Sequence, residues 1–138
     1  MNQYTVLIAD DERTLLGTLS NLFTSEGFSV VECVNGEEVV AKGLAEKPHI
    51  LLLDVQMPQK DGLQALKEIR EQGGDWGKNV PAVFLTNIGD AQNIAGAMDL
   101  KAQDYLIKAD MELKKVLELV LLKLNIVKSA QQAPASAQ

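Results

Sequence analysis

The sequence predicts an α/β domain: a doubly wound, five-stranded parallel sheet with helices on both faces. Three observations lead there. Five short apolar runs alternate with five stretches of helical period. The runs are apolar throughout, as strands buried on both faces are. Parallel neighbours need crossover connections, and right-handed crossovers leave few topologies.

The first strand is expected over residues 4–9, YTVLIA. A helix over 13–26 follows, with Leu15, Leu16, Leu19, Leu22 and Phe23 at helical spacing, and Gly27 stops it as a left-handed cap. Residues 29–34 form the second strand, and Asn35 or Gly36 opens a helix through Glu46. The third strand covers 49–53. Asp61 caps the next helix, which carries Leu63, Leu66 and Ile69 on one face. Residues 81–85 form the fourth strand, and a weaker helix rich in Ala and Gly lies near 90–100. The fifth strand spans 104–107. A last helix runs from about residue 110 past Leu124, with Leu113, Val116, Leu117, Val120, Leu121 and Leu124 toward the core. Residues 1–124 therefore form the domain. Residues 125–138, NIVKSAQQAPASAQ, read as a helix end fraying into a flexible tail or linker.

The 138 residues suffice for a core without staples. No apolar run approaches the ~20 residues of a membrane span. The opening MNQYTVLIADDE lacks a basic region followed by a long apolar core, so no secretory signal is expected. Cys33 is the only cysteine and lies in an apolar run, which suits an inert core thiol. Together these points favour the cytoplasm. A formal charge of −6 argues against direct nucleic-acid binding, which needs a basic face. The single histidine, His49, falls at the sheet end opposite Asp54 and reads as a polar surface residue. Trp76, in the Gly-rich loop GGDWGKN, receives no role.

The informative stretch is ILLLDVQMPQKDG, residues 50–62, whose apolar run ends on Asp54. A buried charge is costly unless paired, hydrogen-bonded or metal-bound. Ligands of such sheets bind beyond the carboxyl ends of the strands. That rule brings Asp10, Asp11, Asp54, Thr86 and Lys108 together, each ending or following a strand. Three converging carboxylates need compensation; a lysine relieves one charge and a hard cation such as Mg2+ relieves more. An aspartate so placed can attack phosphorus to give an acyl phosphate, with metal and lysine neutralising the phosphoryl oxygens. Thr86 offers a hydroxyl to the new group. Taken singly, the blander readings are a helix cap for Asp10 or Asp11, a strand-end cap for Thr86, a solvated Lys108 and a packing Tyr105.

The segments IADDE, LLLDVQMPQKDG, FLT and DYLIK appear in an order and at separations that resemble the receiver domains of two-component response regulators. The resemblance covers roughly residues 4–124. It implies a flavodoxin-like fold with strand order 2-1-3-4-5. It also implies Asp54 as phospho-acceptor and Mg2+ held by Asp11, Asp54 and the backbone carbonyl of Gln56, with Asp10 acting through water. Thr86 and Lys108 would contact the phosphoryl oxygens, and Tyr105 would be the aromatic switch that follows Thr86. The donor would be a phosphohistidine on a histidine kinase or histidine phosphotransfer protein. The output would be a changed partner-binding surface, not a released product.

Three positions depart from the commonest family pattern. Ala109 follows Lys108 where proline is usual, so a trans bond is expected. Asn87 follows Thr86 where a small residue is usual. Ile88 comes next, where a polar residue assists hydrolysis in some relatives; with Gln56, it points to a long-lived phosphoryl group. Leu119, Leu122 and Ile126 form a second apolar set on the last helix. Such a stripe suits a partner surface; the resemblance implies homodimerisation through the face built from the fourth predicted helix, the fifth strand and the last helix. The rival readings are an aspartyl-phosphate phosphohydrolase and a nucleotide- or flavin-binding module. The first generally needs an aspartate where Gln56 stands; the second expects a glycine-rich turn where ADDERT stands. A receiver-like module that accepts no phosphate is disfavoured by the five filled reactive positions.

Overall fold

The computed structural model describes residues 4–86, 104–108 and 111–136, with side chains for 4–86, 105–108 and 111–124. Its elements in chain order are β1 (Thr5–Ala9), α1 (Arg13–Ser25), β2 (Ser29–Cys33), α2 (Gly36–Glu46), β3 (Ile50–Asp54), α3 (Gly62–Gln72), α4 (Gly74–Asn79), β4 (Ala82–Thr86), β5 (Asp104–Ile107) and α5 (Leu113–Ser136). The sheet runs β2-β1-β3-β4-β5, and every pairing is parallel.

Strand alternation sorts the core into two layers. Val6, Ile8, Ile50, Leu52, Val83 and Leu85 join Leu16, Leu19 and Phe23 of α1 and Val116, Val120 and Leu124 of α5. Leu7, Ala9, Leu51, Leu53, Ala82 and Phe84 face the other way, against Val39 of α2 and Ala65, Leu66 and Ile69 of α3. The strands β1, β3 and β4 are buried almost end to end. At the sheet edge, β2 departs from the expected all-apolar run: Ser29 and Glu32 are exposed there.

Local chemistry sets the helix ends. Gly27, at φ +92°, follows α1; its N–H donates to Thr24 O while Phe28 N–H donates to Phe23 O. These two bonds satisfy carbonyls that the helix leaves open. Asn35 accepts from Glu38 N–H at 2.8 Å at the start of α2, and Asp61 accepts from Gln64 N–H at 2.8 Å at the start of α3.

Four details differ from the sequence expectation or lie beyond it. The Gly-rich stretch around Trp76 is not a loop but the short helix α4; Trp76 Nε1 donates to Pro48 O at 2.8 Å, and Arg70 ties Gly77 O and Val80 O. On α5, Leu113 and Leu121 are exposed flank residues, not core. The core stripe is Val116, Val120 and Leu124, with Leu117 and Leu119 packed alongside. Leu119 therefore leaves the second apolar set, in which Leu122 is exposed; the side chain of Ile126 lies outside the described residues. Finally, α5 runs as helix from Leu113 to Ser136. The helix expected near 90–100, Asn87, Ile88 and the Lys108–Ala109 bond lie outside the described residues.

Candidate functional site

Asp10 follows β1, Asp54 ends β3, Thr86 ends β4 and Lys108 follows β5. The parallel sheet thus carries all four to one rim. Asp10 and Asp54 are 0% and 2% exposed, and Thr86 is equally buried. Asp11 is exposed at the mouth. Lys108 Nζ lies 2.9 Å from Asp10 Oδ2 and 3.1 Å from Asp54 Oδ2, so one ammonium spans both buried carboxylates. Backbone donors hold their other oxygens: Glu12 N–H reaches Asp10 Oδ1 at 2.8 Å, and Gln56 N–H reaches Asp54 Oδ1 at 3.3 Å. Asp10 is accordingly not the cap of α1, whose N-cap residue is Glu12 without a side-chain bond.

Ligand oxygens of Asp10, Asp11 and Asp54 lie within 4.8 Å of one another. Burial and the neighbouring Asp10 charge raise the Asp54 carboxyl to about 6, against the pull of Lys108 and the Gln56 N–H. Burial alone would lower the Lys108 ammonium; its ion pairing with Asp10 and Asp54 outweighs that and raises it. Asp10 Oδ2 lies close to Lys108 Nζ yet receives no well-directed hydrogen bond among the described residues. A crowded acidic cluster with a buried oxygen still open to a donor is a donor set that suits a hard cation and its bound water.

The site opens into a cavity of about 600 Å3, lined by Asp11, Glu12, Asp54, Gln56, Met57, Pro58 and Lys108. Beside it lies a second hollow of about 560 Å3 between α1 and the start of α5, lined by Glu12, Thr14, Leu15, Thr18, Lys108, Met111 and Leu113. Sequence reasoning gave no part to Glu12 or Met57 at the mouth. It also missed Gly62, whose N–H donates to Val55 O at 2.8 Å and where a Cβ would overlap the Asp54 carbonyl oxygen. The signal was present as a glycine directly after the capping Asp61. Tyr105 is half-buried and lines a hollow against Met111 and Val116. Cys33 is inert: burial pushes its thiol up to about 12. His49 is exposed before β3, its Nδ1 accepting from Thr5 N–H at 3.0 Å.

A doubly wound parallel sheet with an acid-rich, lysine-bridged rim defines a module built to handle a charged ligand at its strand ends. The family model of the response regulator receiver domain matches residues 6–120, and the chain belongs to that family. It is 32% identical over 107 residues to the transcriptional regulatory protein ResD of Bacillus subtilis, covering 78% of this chain and 42% of that protein. It is 37% identical over 103 residues to CpxR of Klebsiella pneumoniae, also a transcriptional regulatory protein, covering 75% and 42%. The chain thus spans less than half the length of these relatives. Among solved structures, a two-component response regulator from Clostridium difficile superposes with a TM-score of 0.79 at 27% identity, covering 89% of this chain and 97% of that one. The receiver domain of a sensor histidine kinase from Pseudomonas aeruginosa, at 22% identity and a TM-score of 0.75 over 86% and 94%, shares the fold; its structure holds magnesium coordinated in the active-site cleft. Receiver domains of this family are phosphorylation switches of two-component signalling, not turnover enzymes. No helix among the described residues is long and apolar enough to cross a membrane.

Proposed function

We propose that this receiver accepts a phosphoryl group on Asp54 from a phosphohistidine and converts it into a change of partner surface. The observation that carries this reading is the placement of Asp54 at the end of β3, gripped by Lys108 at 3.1 Å and lining the rim cavity. An Asp54 oxygen forms the new bond to phosphorus as the phosphorus–nitrogen bond of the donor breaks. The carboxyl must be ionised to attack, and with its pKa near 6 it is largely so at neutral pH. Lys108 then trades one carboxylate partner for a phosphoryl oxygen. Thr86 turns its hydroxyl to the new group, and Tyr105 follows inward.

Mg2+ belongs to this reading because the donor set suits it. Asp11, Asp54 and the Gln56 carbonyl would hold the ion, with Asp10 acting through water. When bound, it supplies the positive charge that offsets the charge of the transferring group. Gln56, with Ile88, disfavours hydrolytic water and gives a long-lived acyl phosphate. The hollow between α1 and α5 shares Glu12 and Lys108 with the rim, which suits it to the histidine kinase or phosphotransfer protein that delivers the phosphoryl group. The exposed Leu122 supports a homodimer through the face of the fourth predicted helix, β5 and α5. The receiver itself, at a net charge of −6, contacts no nucleic acid and works in the cytoplasm.

Labelling with acetyl phosphate tests the reading. Wild type should gain one phosphoryl group only when Mg2+ is present, and Asp54→Asn should gain none. An unlabelled wild type, or an equally labelled variant, would overturn it.

A further inference from the structure

We propose that Gly36, the first residue of α2, is a positioning residue for the Mg2+ site: it fixes the loop between β3 and α3 by clasping Lys60. The inference rests on the reading of the site above, in which that loop presents the Gln56 carbonyl to the ion.

The loop is held in a costly shape. Lys60 N–H donates to Pro58 O at 2.7 Å, closing a three-residue turn, and the residue inside the turn, Gln59, has φ +70°. A residue with a side chain is strained in that left-handed conformation and keeps it only where neighbours impose it. Two neighbours do so, both through Lys60. Gly36 N–H donates to Lys60 O at 2.8 Å, and Lys60 Nζ donates to Glu68 Oε1 at 2.7 Å. The loop is therefore pinned at one residue between α2 and α3, a few residues from Asp54 and Gln56.

Glycine stands at 36 for room and not for backbone freedom, since its φ does not lie in the left-handed region. A Cβ there would overlap the carbonyl oxygen, carbonyl carbon and Cβ of Lys60. One side must move. The start of α2 is fixed by the Asn35 cap, by the bond from Val34 N–H to Glu38 and by buried Val39 and Gly43. The loop is anchored at Met57, which is buried, and by the Gly62 N–H to Val55 O, while Gln56, Pro58 and Gln59 between and beside these anchors are exposed. The loop is the side that yields, and it carries the Gln56 carbonyl away from the rim. Helix propensity alone points the opposite way, because alanine suits a helix better than glycine.

The test compares Gly36→Ala with Gly77→Ala by calorimetric titration with Mg2+ and by amide hydrogen exchange of the metal-free proteins. Gly77→Ala is the matched control: its Cβ would overlap the Ile69 carbonyl, an equal crowding against backbone, on α4 and away from the loop. Gly36→Ala should bind Mg2+ about tenfold more weakly, with faster exchange at the Lys60 and Gly62 amides, while Gly77→Ala binds as wild type does. Equal affinities in the two variants would overturn the proposal. If Gly36→Ala does not fold, Glu68→Ala decides, since it frees the other tether of Lys60 at a partly exposed pair: weaker Mg2+ binding with faster loop exchange supports the clasp, and wild-type values overturn it. A wild type that takes up no Mg2+ fails the reading of the site itself, which separates the two outcomes.

Discussion

Lys108 Nζ lies 3.1 Å from Asp54 Oδ2, and the same nitrogen reaches Asp10 Oδ2 at 2.9 Å, so one cation from the end of β5 bridges acids from β3 and β1. Removing one member of a buried ion pair leaves an uncompensated charge, at a cost of several kcal/mol unless a proton restores neutrality. Asp54 has that escape, because its carboxyl already sits near 6. Lys108→Met should therefore destabilise the metal-free protein by on the order of 2 kcal/mol in urea unfolding near neutral pH. Unchanged stability would mean that the ammonium does not grip the acids in solution.

Asp54 also sets a pH dependence. Its carboxyl titrates near 6 when folded, raised from the ordinary 3.8, so the folded state binds the extra proton between those values. Stability of the metal-free protein must then rise as pH falls from above 6 towards 4, and fall again as pH rises through that window. Asp54→Asn removes the burden. It should be more stable than wild type by up to about 3 kcal/mol at pH ~7.5 in chelator, and the gap should close towards pH ~4. Parallel pH profiles for the two proteins would contradict the assignment.

Much of this was legible in sequence, for a physical reason. Strands buried on both faces must be nearly continuous apolar runs, so a carboxylate at the end of one, as Asp54 ends ILLLD, is conspicuous. The rule that such sheets work at their carboxyl ends then gathers Asp10, Asp11, Thr86 and Lys108. Sequence could not say which of two adjacent acids turns inward; the continuation of β1 buries Asp10 and leaves Asp11 at the mouth. Nor could it see α4, where glycines suggested a loop but Trp76 and Arg70 supply the tertiary bonds that hold a single short helix. The flank positions Leu113 and Leu121 were assigned to the core because a leucine-rich helix offers more apolar residues than one face can bury.

Ser20 offers a stability test away from the site. It is 7% exposed on α1, and its hydroxyl has no hydrogen-bond partner among the described residues. A buried hydroxyl without a partner costs free energy, and alanine is the better helix former. Ser20→Ala should raise the unfolding free energy by about 1 kcal/mol. A loss of stability would place an unseen partner on that hydroxyl.

Trp76 should be a silent reporter. Its indole bonds Pro48, which precedes β3, while Asp54 ends that strand, roughly 20 Å away along it. Saturating Mg2+ should leave the Trp76 emission unchanged, whereas Trp76→Phe, which strips the Pro48 carbonyl of its donor, should cost about 1–2 kcal/mol. Strong quenching by Mg2+ would place the ion near the wrong end of the sheet.

On the proposed reading the Asp54 carboxylate is the seat of the phosphoryl group. Borohydride reduces an acyl phosphate to the alcohol, so treating protein labelled with acetyl phosphate and Mg2+ and mapping its peptides locates the bond. Homoserine at position 54, dependent on Mg2+, is the expected result. Homoserine elsewhere, or an intact Asp54 in fully labelled protein, would contradict the account.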